Sequence, residues 1–478
     1  MKTKLVNNLS ANTLQLIINQ LAGLVIFYIL SIGLDKNSFG QINLALALML
    51  AIFNILSFGI DQIAVRKLAS GEDPPIILSL YISHVLITGF VFYGLLFAGR
   101  LLFPFINAYD IILLIGAGKL MIYFSTPFKQ SAIGMERFRL LAYLSVISNI
   151  ARACCLVVLT ILHSITLRNV IIVFISGDLL ELAIGTLLFK QATHLPLTIK
   201  WNKSNYISLL KESLPQFGVV MITSALARFD WIFIGIVLSA VKLAEYSFAY
   251  KVFELSTLPL LAIAPLLIPW FTRLFKDGAV PDTNKLKLLA RMEMIVAAFT
   301  IVLINSCWSP VIDRLTAGKY GAVNERTIFI LTLCIPLIYL TNFLWTISFA
   351  KGRLKMIFTA FAITLAVNVI ADIILIPIFK NEGAAIGYLA GYSAQTIYFL
   401  IRNDVKELNQ VVYPLLISTA CACLSVFGAK VLFVNVWVEV GAAVLLYVVG
   451  LVVMGQVGLV DAKALSGMVN MSEPELKN

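Results

Sequence analysis

This chain has no room for a soluble domain. Between its apolar stretches, the longest segments (Lys190 to Glu212, Thr272 to Lys287, Ser309 to Arg326) run only about twenty residues each. An outer catalytic domain needs several times that length. No G-x-x-x-x-G-K-[ST] phosphate loop occurs, so an energising ATPase domain is excluded as well. Cysteine is sparse, and all six (Cys154, Cys155, Cys307, Cys334, Cys421, Cys423) fall inside apolar stretches with no metal-ligand spacing. Their expected role is that of small apolar packing residues. Neither a metal nor an organic cofactor is expected.

What the chain does contain is about fourteen apolar stretches of roughly twenty residues, running from Leu14 to Gly458. Such a stretch is the length a helix needs to cross a hydrocarbon core of about 30 Å. The hydrophobic fraction of 60% and mean hydropathy of +0.94 agree, against roughly 45–50% apolar for soluble domains. The expected fold is therefore all-α, a polytopic membrane protein with about 14 spans. They are placed at 12–33, 42–64, 76–98, 109–128, 140–162, 169–189, 213–238, 244–270, 288–308, 327–349, 356–379, 383–401, 411–433 and 437–458. The first is too long for a signal-peptide core and lacks a cleavage site, so it reads as a retained anchor.

The formal charge is +11. Lys and Arg crowd the loops on one side, which the positive-inside rule assigns to the cytoplasm together with both termini. That asymmetry accounts for the basicity without a nucleic-acid partner.

Short matches suggest an internal repeat. Val65–Gly71 after span 2 resembles Phe271–Gly278 after span 8, and Glu136–Leu140 before span 5 resembles Gly352–Met356 before span 11. Spans 1–6 then correspond to spans 7–12 in the same orientation, related by an axis along the membrane normal. The expected organisation is an N-terminal six-span bundle (residues 1–200), a second (201–405), and two additional spans with a tail (406–478). Paired bundles suit a substrate site exposed to one membrane face at a time, so transport is expected rather than an enzymatic activity.

Charges inside spans cost at least about 2.5–3.5 kcal/mol on insertion scales and mark functional positions. Lys119, Arg152, Arg228 and Lys251 lie near mid-depth on spans 4, 5, 7 and 8, a set suited to a phosphate or pyrophosphate. Internal ion pairing competes: Asp178 and Glu181 share a face of span 6 near the depth of Arg152, Glu254 follows Lys251 by three residues, and Asp230 follows Arg228 by two. Both readings stay open for each base. Asn19, Asn43, Asn54, Asp61, His84, Asn368 and Asp372 are expected to hydrogen-bond across helices.

The most specific segment runs Asn368-x-x-x-Asp372-x-x-x-Ile376-Pro377 through Gly383-Ala384-Ala385-Ile386-Gly387. It resembles the corresponding part of the bacterial polysaccharide and O-antigen flippases (Wzx-type) of the multidrug/oligosaccharidyl-lipid/polysaccharide (MOP) exporter superfamily. Ser38-Phe39-Gly40-Gln41, Phe58-Gly59-Ile60-Asp61 and Glu245-Tyr246-Ser247-x-Ala249-Tyr250-Lys251 are similar too. The resemblance implies two MATE-like six-helix bundles plus two C-terminal helices in the bacterial inner membrane. It further implies flipping of an undecaprenyl-pyrophosphate-linked oligosaccharide by alternating access for polysaccharide or lipopolysaccharide assembly, with Arg228 and Lys251 as the first candidates for the pyrophosphate. A coupling ion, H+ or Na+, and partnership with other glycan-assembly membrane proteins are compatible with it. The flippase of the peptidoglycan precursor carries a basic, glycine-containing motif in its first span, where this chain has Asn19-Gln20-Leu21-Ala22-Gly23, which argues against that substrate. The alternative is a cation- or proton-coupled exporter of small organic molecules.

Overall fold

The computed structural model describes residues 2–102, 108–197, 199–260, 271, 283–403, 406–433 and 435–457, with side chains except at 2–14, 283, 285, 406 and 407. The described residues form fifteen α-helices and two short 3-10 turns, with no strand. The helices are α1 (Lys2–Gly33), α2 (Lys36–Leu56), α3 (Ile60–Ala69), α4 (Pro74–Leu102), α5 (Tyr109–Gly134), α6 (Phe138–Ile161), α7 (Leu167–Thr193), α8 (Lys203–Val237), α9 (Ala240–Ser256), α10 (Thr283–Thr316), α11 (Glu325–Ala350), α12 (Leu354–Phe379), α13 (Asn381–Arg402), α14 (Val412–Leu432) and α15 (Val436–Val453). Several starts carry side-chain caps: Asp35 accepts from the Ser38 amide, Thr166 from Asn169, Asn202 from Asn205 and Asn435 from Trp437.

Twelve of the described helices are long and apolar enough to cross a membrane: all but α3, α9 and α13. This is an all-α, multi-pass membrane protein. The expected count of 14 included spans 8 and 12. Span 8 (244–270) lies partly outside the described residues, and only α9 represents it. Span 12 (383–401) does form α13, whose Gly, Tyr, Ser and Gln residues dilute its apolar character.

Span 2 differs from expectation. It is broken at Phe58 (φ 53°) and Gly59 (φ 72°), so α2 ends at Leu56 and α3 starts at Ile60. Gly59 is required twice over: its φ is left-handed, and a Cβ there would come within 2.9 Å of the Phe217 backbone nitrogen on α8. The cysteines also depart in part: Cys334 is buried, but Cys154 and Cys155 are exposed on α6.

Packing divides the chain into two compact units, 1–247 and 248–478, with the division falling inside α9. The expected bundles 1–200 and 201–405 follow repetition, whereas these units follow contacts, and α8 packs on α2 and α3 within the first. There α1 lies on α6, and α5 contacts α2, α3, α4 and α7. Its core joins Met49, Phe53, Ile60, Tyr81, Leu120 and Tyr123. In the second unit α13 packs on α11 and α12, while α14 and α15 flank α10. Ala298, Ala422, Ala429 and Ala443 are all fully buried at that contact. Small residues let helices approach closely where no hydrophobic drive between them exists.

Candidate functional site

The specific motifs acquire structural roles first. On α13, Gly383, Gly387 and Gly391 recur every fourth residue and face α12. A Cβ at Gly383 would come within 2.3 Å of the Leu375 carbonyl oxygen, and one at Gly387 within 2.3 Å of Asp372 Oδ1. A Cβ at Gly391 would stand 3.2 Å from Asn368 Cβ. The Asn368/Asp372 and Gly383/Gly387 halves of the motif are thus the two sides of one helix seam. Gly40 serves similarly, since its Cβ would overlap the Ala240 carbonyl oxygen at 1.8 Å. Tyr246 donates to Asp230 at 2.6 Å, Asn43 to Ser247 at 3.0 Å, and Lys36 and Lys242 both reach Glu245 at 2.7 Å.

In the first unit the mid-membrane charges converge. Asp178 on α7, 1% exposed, is shared by two cations: Lys119 Nζ of α5 lies 3.1 Å from its Oδ1 and 3.0 Å from its Oδ2, and the Arg152 guanidinium of α6 pairs with Oδ1. The Phe174 ring lies 5.6 Å from each cation, adding a cation–π contact. Glycines make the space. A Cβ at Gly118 would stand 2.7 Å from Asp178 Oδ2, and one at Gly177 would stand 2.6 Å from Arg152 Cγ. One helical turn along α7, Glu181 pairs with Lys129 of α5 and accepts from Ser125 and Ser148.

Three cations therefore share two buried carboxylates, leaving one positive charge in excess. Lys119 is where that excess meets open space. It lines a cavity of about 410 Å³ together with Asn54, Ser57, Asp61, Tyr123 and Thr126, all within the first unit. Asp61, set in the first turn of α3 by the Phe58–Gly59 break, accepts from Tyr81 of α4. Chemically, this is a largely apolar chamber, walled also by Leu46, Met49, Leu50, Phe53 and Ile122, into which one ammonium (Lys119), one carboxylate (Asp61) and a few hydrogen-bonding groups project.

The other predicted bases sit elsewhere. Arg228 on α8 is half-buried; its guanidinium stacks on Trp231 at 4.6 Å and donates to the Ala227 carbonyl at 3.1 Å. Asp230 turns away from it to Tyr246, as the i+2 spacing predicts. Lys251 on α9 belongs to the second unit and pairs with Glu254 at 2.7 Å. Of the four bases, Lys119 and Arg152 are brought together. Arg152 is held in an ion pair, and Lys119 is both paired and on a cavity wall. His84 bridges helices as expected, to Tyr206 at 2.9 Å and the Leu56 carbonyl at 2.8 Å, and Asn149 donates to Asn19 at 2.9 Å.

Lys129 escaped the sequence reading. The fourth span ends at 128 by apolarity, yet α5 continues to Gly134, so Lys129 reads as a loop residue while lying within the helix. Ser125 and Ser148 carry no signal as isolated serines. Among the described residues no group of three or more His, Cys, Asp or Glu could hold a metal ion.

This long-helix, multi-pass fold has counterparts among solved structures. The lipid II flippase MurJ in an inward closed conformation superposes with TM-score 0.71 at 14% identity, over 94% of this chain and 98% of that one. An inward-facing multidrug resistance MATE transporter of the MOP superfamily gives 0.63 at 14% identity, over 84% and 99%. The Vibrio cholerae MATE transporter VcmN in its bent form gives 0.53 at 13% identity, over 86% and 99%. No curated protein matches the sequence. The family described as polysaccharide biosynthesis protein matches residues 5–275, more than half of the chain, and the chain belongs to that family.

Proposed function

We propose that this protein flips an undecaprenyl-pyrophosphate-linked oligosaccharide from the inner to the outer leaflet of the bacterial cytoplasmic membrane by alternating access. The observation that carries the reading is membership of the polysaccharide biosynthesis family over residues 5–275. The cluster of Lys119, Arg152 and Lys129 on two carboxylates, with Lys119 reaching the chamber wall opposite a single carboxylate (Asp61), supports it physically. A pyrophosphate entering there replaces hydration with charge-assisted hydrogen bonds, and the chamber's amide and hydroxyl groups suit sugar hydroxyls. The polyprenyl tail stays in lipid, since each CH₂ kept out of water is worth about 0.8 kcal/mol. Arg228 and Lys251 remain proposed pyrophosphate-binding residues, and both termini are proposed to be cytoplasmic. The protein acts as a transporter and makes or breaks no covalent bond in its cargo.

The test is reconstitution of the purified protein in vesicles loaded with fluorescent undecaprenyl-pyrophosphate oligosaccharide. Accelerated appearance of label at the far leaflet, lost in Lys119→Ala, is the expected result. Vesicles that flip no faster than protein-free ones would refute the reading. The MATE neighbours and the carboxylate of Asp61 in the chamber favour a second reading, export of small organic cations. Raised resistance to cationic dyes in expressing cells, with no glycan flipping, would select it.

A further inference from the structure

A cavity of about 380 Å³ lies in the second compact unit, where α11 and α13 begin and α14 ends. Every residue lining it is among the described ones. Glu325 and Arg326 open α11, Glu382 is the second residue of α13, and Lys430 stands in the last turn of α14. Phe329 and Phe427, edge to face at 5.3 Å, supply an apolar side, with Phe427 54% exposed. The charged wall is balanced, two acids against two bases, but only half of it is paired. Lys430 pairs with Glu325. Arg326 and Glu382 line the same cavity without pairing to each other, and neither forms an ion pair with another described residue. Arg326 also opposes the helix dipole, which favours acids rather than bases in a first turn. Glu439 of α15, 8% exposed, lies within electrostatic reach of Lys430 and Glu325, and its Oε1 is buried without a hydrogen-bond partner.

A wall of equal and opposite charge offers a purely anionic head no net attraction, whereas a zwitterion satisfies both of its open ends. We propose that this cavity binds the phosphoethanolamine head of a membrane phospholipid, with its phosphate on Arg326, its ammonium on Glu382, and its acyl chains leaving past Phe427 into the bilayer. The phosphate meets the guanidinium through charge-assisted hydrogen bonds and is favoured by the positive end of the α11 dipole. The ammonium brings three N–H donors, which suit Glu382 and the Glu325 oxygen that Lys430 does not use. Glu439 adds a third acid nearby, which disfavours an anionic lipid and favours the cationic end of a zwitterion. Pockets at the ends of spans hold a polar head in this way while its chains stay in hydrocarbon. The site shares no residue with the Lys119 chamber and stands whether or not the flippase reading does.

The experiment is native mass spectrometry of the purified full-length protein, titrated separately with phosphatidylethanolamine, phosphatidylcholine, phosphatidylglycerol and undecaprenyl pyrophosphate. Phosphatidylethanolamine should be held about tenfold more tightly than the other two phospholipids, since phosphatidylcholine lacks the N–H donors and phosphatidylglycerol lacks the cation. Glu382→Gln should erase the preference over phosphatidylcholine. Arg326→Gln should instead weaken both of these lipids about tenfold, because each carries the phosphate. The two variants thus separate the two ends of the headgroup, and Glu382→Gln decides the matter if Arg326→Gln does not fold. Lys355→Gln, outside the cavity, should bind as wild type. Equal retention of the three phospholipids, or an unchanged preference in Glu382→Gln, would overturn the proposal. Retention of undecaprenyl pyrophosphate without phosphatidylethanolamine would overturn it too, making the cavity a subsite for the carrier lipid.

Discussion

Asp178 should be the most sensitive single residue of the first unit, and its partners should be less so. Its carboxylate is 1% exposed and is the shared ion-pair partner of Lys119 and Arg152, while the neighbouring Glu181 is already taken by Lys129. Asp178→Ala therefore strands two cations in an apolar bundle, and breaking a buried pair from one side costs about 3–5 kcal/mol. Lys119→Gln leaves the Asp178–Arg152 pair intact and removes one charge-assisted contact from a side chain that is 19% exposed. That loss should be about 1–2 kcal/mol. Replacing the whole network, as Lys119→Met/Arg152→Met/Asp178→Leu, should recover most of the stability, because apolar residues of similar volume often match a buried ion pair. The triple variant should nevertheless fail to export glycan, having lost the cavity's ammonium. Unfolding by SDS titration in mixed micelles measures the three stabilities, and complementation of a flippase-deficient strain measures export. If Asp178→Ala is no less stable than Lys119→Gln, the shared-carboxylate account is wrong. If the triple variant exports normally, the network has a structural role only.

Three further outcomes are expected. Arg228→Ala should cripple export while leaving the protein in the membrane, with Lys rescuing only partly because it lacks the planar fork that stacks on Trp231; full activity would remove Arg228 from the transport path. Gly383→Ala should cost about 1–3 kcal/mol, since its Cβ meets backbone atoms of Leu375 rather than a yielding side chain; SDS titration measures it, and wild-type stability would contradict the close α12–α13 seam. Reporter fusions at Lys200 should read cytoplasmic and at Lys319 external; the reverse at both would overturn the proposed orientation.

The sequence by itself determined the solvent and the class of fold. Runs of about twenty apolar residues must become helices in hydrocarbon, because a lipid-exposed backbone can satisfy its hydrogen bonds only internally. That argument is local, so it survives without coordinates, and it also located the bases that stand out against an apolar background. It blurred where composition is mixed, at the helix break inside span 2 and at the glycine-rich α13. Which charge meets which was decided only by tertiary structure. Lys119 and Asp178 are 59 residues apart in sequence, and Lys129 and Glu181 are 52 apart. Helical periodicity fixes the face a residue occupies on its own helix but not the neighbour that the face meets. Within one helix, spacing did suffice: Glu254 falls on the face of Lys251 and pairs with it, while Asp230, two residues from Arg228, points to Tyr246 instead. Between helices the pairing depends on rotation and depth, and here Gly118 and Gly177 leave room that a Cβ would take from Asp178 and Arg152.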